Sequence, residues 1–561
     1  MESSKIVIYQ IFTRLYGNRC QTRKPFGTID ENGCGKLNDF TPSVLKQIRE
    51  MGVSHVWYTG VIRHATMTDY SSFGIPCQHP AVVKGRAGSP YAITDYYDID
   101  PDLAKDVNRR MEEFEKLVNR THRAGLKVVI DFVPNHVARQ YHSVARPEGV
   151  HDLGEDDDPT RGFDPEHNNF YYCPGQQFSP YFDLYHGASQ PYNENPARAT
   201  GNDCFHNAPG QNDWYETVKL NYGVDYYAGV TPSSFSLAPS APIPSTWHKM
   251  LHILLFWAGK GVDAFRCDMA EMVPAAFWAW ATDKVKFRYP EIQFIGEVYN
   301  PQQYRCYLHA GFDLLYDKVG MYDCVRDVIC GRRPAAAITY EWQATDDIRP
   351  HMLYFLENHD EQRLASDFFA GDARRGIPGM MVSAWLHQNP LMIYAGQEFG
   401  ERGMDKEGFS GVDGRTTIFD YWSVDTIRRG FYQRRKLTAA EKQLEQQYRQ
   451  IVNLAQRERA IREGQFYDLM YAQSACFDRQ HLYAFLRKSG SESLLILINF
   501  GDQAAKAMVN IPKHAVDFLS LPTGDLLARE LLTGEDRFLE LTPDVDFPLT
   551  VPALGGMVLK F

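Results

Sequence analysis

A chain of 561 residues with 44% hydrophobic and 23% charged side chains can bury more than one core, and it excludes a largely disordered protein. The formal net charge of −11 offers no basic footprint for nucleic acid and is repelled by anionic lipid, so a neutral substrate fits better than a polyanion. No apolar run approaches membrane-spanning length, MESSKIVIYQIF lacks signal-peptide patterning, and the ten Cys are scattered without a CxxC pair. The expectation is a cytoplasmic protein with reduced, mostly buried thiols, no nucleic-acid partner and no membrane insertion. The sequence does not give its oligomeric state.

In chain order, apolar runs alternate with amphipathic stretches. KIVIYQIF (5 to 12) and VSHVWYTG (53 to 60) read as strands around a helix, TPSVLKQIREMG. A longer helix over roughly 104 to 125 leads into KVVIDFVPNH (127 to 136). The helix STWHKMLHILLFWAGK precedes the strand GVDAFRCD (261 to 268), and IQFIGEVY (292 to 299), FDLLYDK (312 to 318), MLYFLENHD (352 to 360) and PLMIYAGQEF (390 to 399) follow. Eight strands alternating with helices predict an α/β fold, a closed (β/α)8 TIM barrel of parallel strands.

Two stretches depart from that rhythm. Residues 138 to 230, with HNNFYYCPGQQFSPYFDLYHG, are rich in Asn, Pro, Gly, Asp and aromatics and read as a subdomain inserted after the third strand. Beyond about residue 460, short alternating runs (HLYAFLRK, SLLILINF, FPLTVPALGGMVLKF) predict a C-terminal antiparallel β-sandwich. The barrel is therefore expected in two parts, 1–137 and 231–459, with the insertion over 138–230 and the sandwich over 460–561.

Four strand candidates end in polar residues that are odd for apolar runs: Asp131 with Asn135 and His136, Arg266 with Asp268, Gly296 with Glu297, and Asn358 with His359 and Asp360. Each alone has a structural explanation, such as an ion pair at a strand end or a satisfied buried histidine. In a barrel all four sets meet at one rim, where barrel enzymes keep their chemistry. Convergent carboxylates with an Arg and two His suit glycosidic-bond cleavage, which pairs an ionised carboxylate with a protonated acid. Asp268 beside Arg266 fits the ionised role. Glu297, with no cation near it in sequence, fits the acid/base, and Asp360 is free to hold sugar hydroxyls. His136 and His359 can donate hydrogen bonds near the developing charge.

These motifs, in this order, resemble the α-amylase family of glycoside hydrolases (glycoside hydrolase family 13): DFVPNH the first conserved region, GVDAFRCD the second, GEVY the third and ENHD the fourth. The resemblance also takes in KIVIYQIF, GKLNDF…LKQIREMGVSHVWYTG, PLMIYAGQEFG and the C-terminal sandwich. It implies that Asp268 is the nucleophile, Glu297 the general acid/base and Asp360 the transition-state stabiliser. Arg266, His136 and His359 then support the sugar, and Tyr91, in PYAITDYYDID, is its stacking platform. The implied activity is that of a retaining hydrolase of α-glucosidic linkages in starch- or glycogen-derived oligosaccharides. An α-glucosidase or transglycosylase of the same family, and a non-catalytic sugar-binding relative, stay open as alternatives.

Two departures from the family pattern bear on metal and substrate. Glu271 and Met272 stand where many members have Lys-His, and KLNYGVD lacks the usual Asp of the fifth motif. Asn135 matches a usual calcium ligand, but one oxygen is far short of the six or more that calcium takes. The acidic run Glu155 to Asp158 is an alternative source of ligands. No metal site is assigned, and no cofactor, calcium included, is expected to be required.

Overall fold

The computed structural model describes residues 5–182 and 190–561. Residues 183 to 187 of the aromatic stretch quoted above, and the first four of the N-terminal run, lie outside it.

All eight strand candidates enter one closed parallel barrel: β1 (Val7–Phe12), β2 (His55–Thr59), β3 (Lys127–Phe132), β4 (Ala264–Cys267), β5 (Gln293–Gly296), β6 (Leu314–Tyr316), β7 (Met352–Phe355) and β8 (Leu391–Tyr394). They pair in chain order and β8 closes on β1. Most are shorter than the runs that announced them, because the apolar residues continue past the last ladder bond into the rim loops. The run at 127 to 136 resolves into two strands. Pro134 has no backbone N–H to give a ladder, and His136–Ala138 turns away to pair antiparallel with Thr217–Lys219 of the insertion.

The helices cover the barrel with their apolar faces. In α1 (Pro42–Glu50), the Thr41 hydroxyl accepts from Val44 N at 3.3 Å, Pro42 fills the first turn, and Val44, Leu45 and Ile48 are buried. α2 (Arg110–Arg123) precedes β3, and α3 (Ser245–Gly259) precedes β4. On α3, Trp247, Met250, Leu254 and Trp257 are buried at helical spacing. Between β2 and β3 the chain first makes a hairpin, Ile62–His64 against Ile93–Ile99, that no sequence pattern announced. It matters because the segment inside it carries Lys84, Ser89 and Tyr91 over the C-terminal rim.

The C-terminal region is antiparallel, as expected. A six-stranded sheet (Gln465–Asp468, Leu482–Ser489, Glu492–Asn499, Gly555–Lys560, Gly524–Glu530, Asp536–Leu541 in spatial order) accompanies a two-stranded one, Ala505–Val509 with Phe547–Val551. All ten cysteines are free, but the expectation that most are buried needs correcting. Only Cys173, Cys267 and Cys324 are buried, and Cys77 and Cys476 are exposed. No helix among the described residues is long and apolar enough to cross a membrane.

Candidate active site

Strand register builds the centre of the site. Arg266 on β4 lies directly opposite Asp131 on β3 and Ile295 on β5, so Asp268 and Glu297, each two residues further on, emerge together at the rim. The Arg266 guanidinium is fully buried and serves all three acids. Nη1 donates to Asp268 Oδ1 at 2.8 Å and more distantly to Asp131 Oδ1 at 3.4 Å, while Nη2 faces Glu297 Oε2 at 2.7 Å. Its flat face lies near the rings of Trp57, Tyr91 and Tyr316, at 5.2, 5.4 and 5.7 Å from their centroids.

Sequence spacing gave Arg266 to Asp268 alone and left Glu297 without a cation. The fold gives one cation to both. Burial pushes the Asp268 carboxyl well above the usual carboxylate range, Glu297, Asp360 and Asp131 push it the same way, and Arg266 opposes them. Burial also raises Asp131, to about 6, against Arg266 and the Trp57 and Gly60 N–H groups that donate to it.

Glu297 is fixed at both oxygens: Oε1 accepts from Tyr299 OH at 2.5 Å and Oε2 from Met269 N at 2.8 Å. That amide is available because Met269 sits at φ 44°, ψ 45°, a left-handed turn placed immediately after Asp268. A non-glycine residue there costs about 1–2 kcal/mol. Asp268 Oδ2 takes no hydrogen bond from any described residue.

Tyr91 and His359 stack at 5.2 Å between centroids and 28° between planes, and the Tyr91 hydroxyl meets His359 Nε2. His359 Nδ1 lies 2.8 Å from Gln10 Nε2, and with the amide so oriented it accepts, leaving the proton on Nε2, 3.1 Å from Asp360 Oδ2. Burial, reinforced by Arg266, holds His359 well below the ordinary histidine value, and burial with Lys219 and Lys84 brings His136 down to about 3. Both rings are neutral at pH 7 and act as hydrogen-bonding groups, not as cations.

These groups surround a cavity of about 240 Å³. Asp268, Glu297, Asp360, Tyr91 and His136 line it. Arg266 and His359, grouped with the sugar-contacting residues on sequence, do not; they stand behind the wall and order what lines it. Sequence reasoning missed Lys84, Ser89, Trp214, Glu216, Tyr299 and Phe419, which also line it. They sit on irregular loops without periodicity, and only the aromatic richness of the insertion hinted at Trp214. Lys84 Nζ and Glu216 Oε2 pair at 3.0 Å and tie the hairpin segment to the insertion.

One cation among three buried acids makes a prediction. Arg266→Met should cost about 3–5 kcal/mol at pH 7, because uncompensated carboxylates are left in the interior. Losing the cation raises the folded-state carboxylate pKa values, so the cost should shrink as pH falls toward the unfolded values. Urea denaturation at two pH values checks both the size and the sign.

An eight-stranded barrel that gathers three acidic side chains around a cavity at its C-terminal rim is an arrangement suited to glycosidic-bond chemistry. A family model described as alpha amylase, catalytic domain, matches residues 23–473. This chain belongs to the alpha-amylase family. It is 26% identical over 403 residues to alpha-amylase MalA of Haloarcula japonica, covering 71% of this chain and 44% of that protein. It is 22% identical over 351 residues to alpha-amylase 3 of Dictyoglomus thermophilum, covering 60% and 59%. The matches thus span about half the length of these relatives. Its fold is like that of a maltogenic alpha-amylase from Thermotoga neapolitana, with a TM-score of 0.62 at 18% identity over 99% of this chain and 98% of that one.

Proposed function

We propose that the protein is a retaining hydrolase of α-glucosidic linkages in malto-oligosaccharides. The observation that carries this reading is the shared hold of Arg266 on Asp268 and Glu297 at the wall of one cavity. Asp268 attacks the anomeric carbon through its free oxygen as Glu297 gives a proton to the departing glycosidic oxygen, which leaves a β-linked glycosyl-enzyme. Glu297 then takes a proton from water, which displaces Asp268 and restores the α configuration. Asp360, oriented by His359, holds ring hydroxyls in the distorted sugar, and Tyr91 packs against its face. The purified protein should release reducing sugar from malto-oligosaccharides and none from cellulose oligomers or sucrose. Inactivity on every α-glucan would leave the binding-protein alternative in its place.

A second reading, α-glucosidase action at chain ends, is supported by the Lys84–Glu216 pair, which joins two walls of the small cavity. Products from maltoheptaose separate the readings. Glucose as the sole early product fits chain-end action, and a spread of intermediate lengths fits internal cleavage.

A further inference from the structure

Asn135 is the residue that resemblance offers to calcium, and its side-chain oxygen already faces a cation. Lys219, at the head of KLNYGVD, is 2% exposed, and its ammonium donates to Asn135 Oδ1. The same Nζ is 2.7 Å from Asp203 Oδ1 and 3.4 Å from the Met272 carbonyl. These acceptors come from the loop after β3, from the insertion and from the turn that follows Asp268. Calcium needs six or more oxygens at about 2.3–2.6 Å, and a buried ammonium on the shared acceptors repels it. The residues present do not fit that metal.

We infer that Lys219 is a positioning residue for the cleavage site, its ammonium acting as the resident cation that locks the insertion and the Asp268 turn onto Asn135, just before His136. This rests on the hydrolase reading. Three contacts connect Lys219 to the site. Its backbone pairs with His136 in the antiparallel ladder. Asn135, which it holds, also donates to Gly201 O at 2.7 Å and lies 3.1 Å from His136 Nδ1. Met272, whose carbonyl Lys219 reaches, closes with its backbone N–H the turn that begins at Met269, donating to Met269 O at 2.9 Å, and the Met269 amide fixes Glu297. Burial lowers the Lys219 pKa, and the Asp203 carboxylate opposes that shift.

Lys219→Met keeps the alkyl stem and removes the ammonium. On maltoheptaose it should lower kcat at least about tenfold with little change in KM, the loss a misplaced catalytic geometry produces. Asp203→Asn, at a side chain 34% exposed, endangers the fold less and should give a smaller loss in the same direction. The double variant should lose less than the product of the two single losses, because both act on one contact. The wild type should keep its Tm and kcat in excess EDTA. The inference is overturned if Lys219→Met turns over like the wild type, if the two losses simply multiply, or if EDTA lowers the wild-type Tm and calcium restores it. Should Lys219→Met fail to fold, Asp203→Asn and the EDTA comparison decide. The Tm measurements use no substrate, so they judge the cation even if the protein cleaves no α-glucan.

Discussion

Asp268→Asn is expected to lower turnover on maltoheptaose by roughly four orders of magnitude or more, the scale on which a covalent nucleophile contributes. The same substitution should raise the melting temperature at neutral pH. Burial and three neighbouring acids lift the Asp268 carboxyl well above its unfolded value. The native state therefore binds a proton more readily than the unfolded chain. The resulting cost is absent below the unfolded pKa, near ~3.9, and grows as pH rises toward the folded value. A neutral amide removes that cost and leaves Arg266 with Glu297 and Asp131. Thermal melts of wild type and variant should diverge at pH 7 and converge near pH 4. A variant less stable than the wild type at pH 7 would mean that the Arg266–Asp268 contact outweighs the repulsion.

Glu297→Ala should show a loss that depends on the leaving group. On maltoheptaose, whose departing alkoxide needs a proton, turnover should fall by roughly 10³-fold or more, in line with general acid catalysis. On an α-glucosyl fluoride, which departs without protonation, the first step should be nearly intact and the glycosyl-enzyme should accumulate, since no base activates water. A rapid burst of fluoride followed by a slow steady rate is the expected trace. A uniform loss on both substrates would place Glu297 in sugar binding instead.

The barrel was legible because each of its eight strands is an apolar run, and runs of that kind interrupted by amphipathic helices admit few topologies. The acids were legible because Asp131, Asp268, Glu297 and Asp360 interrupt or close such runs at corresponding positions. What the sequence hid was register. The contact between Arg266 and Glu297 crosses two strands, and spacing along one strand says nothing of it. The far wall of the cavity was hidden for another reason. Lys84, Trp214 and Glu216 lie on loops whose backbone is held by tertiary contacts, so no repeat of 2 or 3.6 marks them. Lys219 combines both difficulties: it reads as an ordinary lysine after TV, and its partner Asn135 is brought to it by pairing between distant segments. The strand ends, by contrast, were overextended, since hydrophobicity continues through Val133 and Leu356 after the ladders stop.

The division of labour between the two acids is the central claim, and the configuration of a trapped product tests it most directly. Asp268→Ala, given α-glucosyl fluoride and azide, lacks the nucleophile, so azide enters the vacated side in a single inversion and yields β-glucosyl azide. Glu297→Ala keeps the nucleophile, so azide displaces Asp268 from the glycosyl-enzyme after two inversions and yields α-glucosyl azide. Proton NMR distinguishes the two anomers through the coupling of the anomeric hydrogen. The account predicts β product from the first variant and α from the second. The reverse pair, or β-configured sugar released by the wild type, would contradict both the roles and the retaining mechanism.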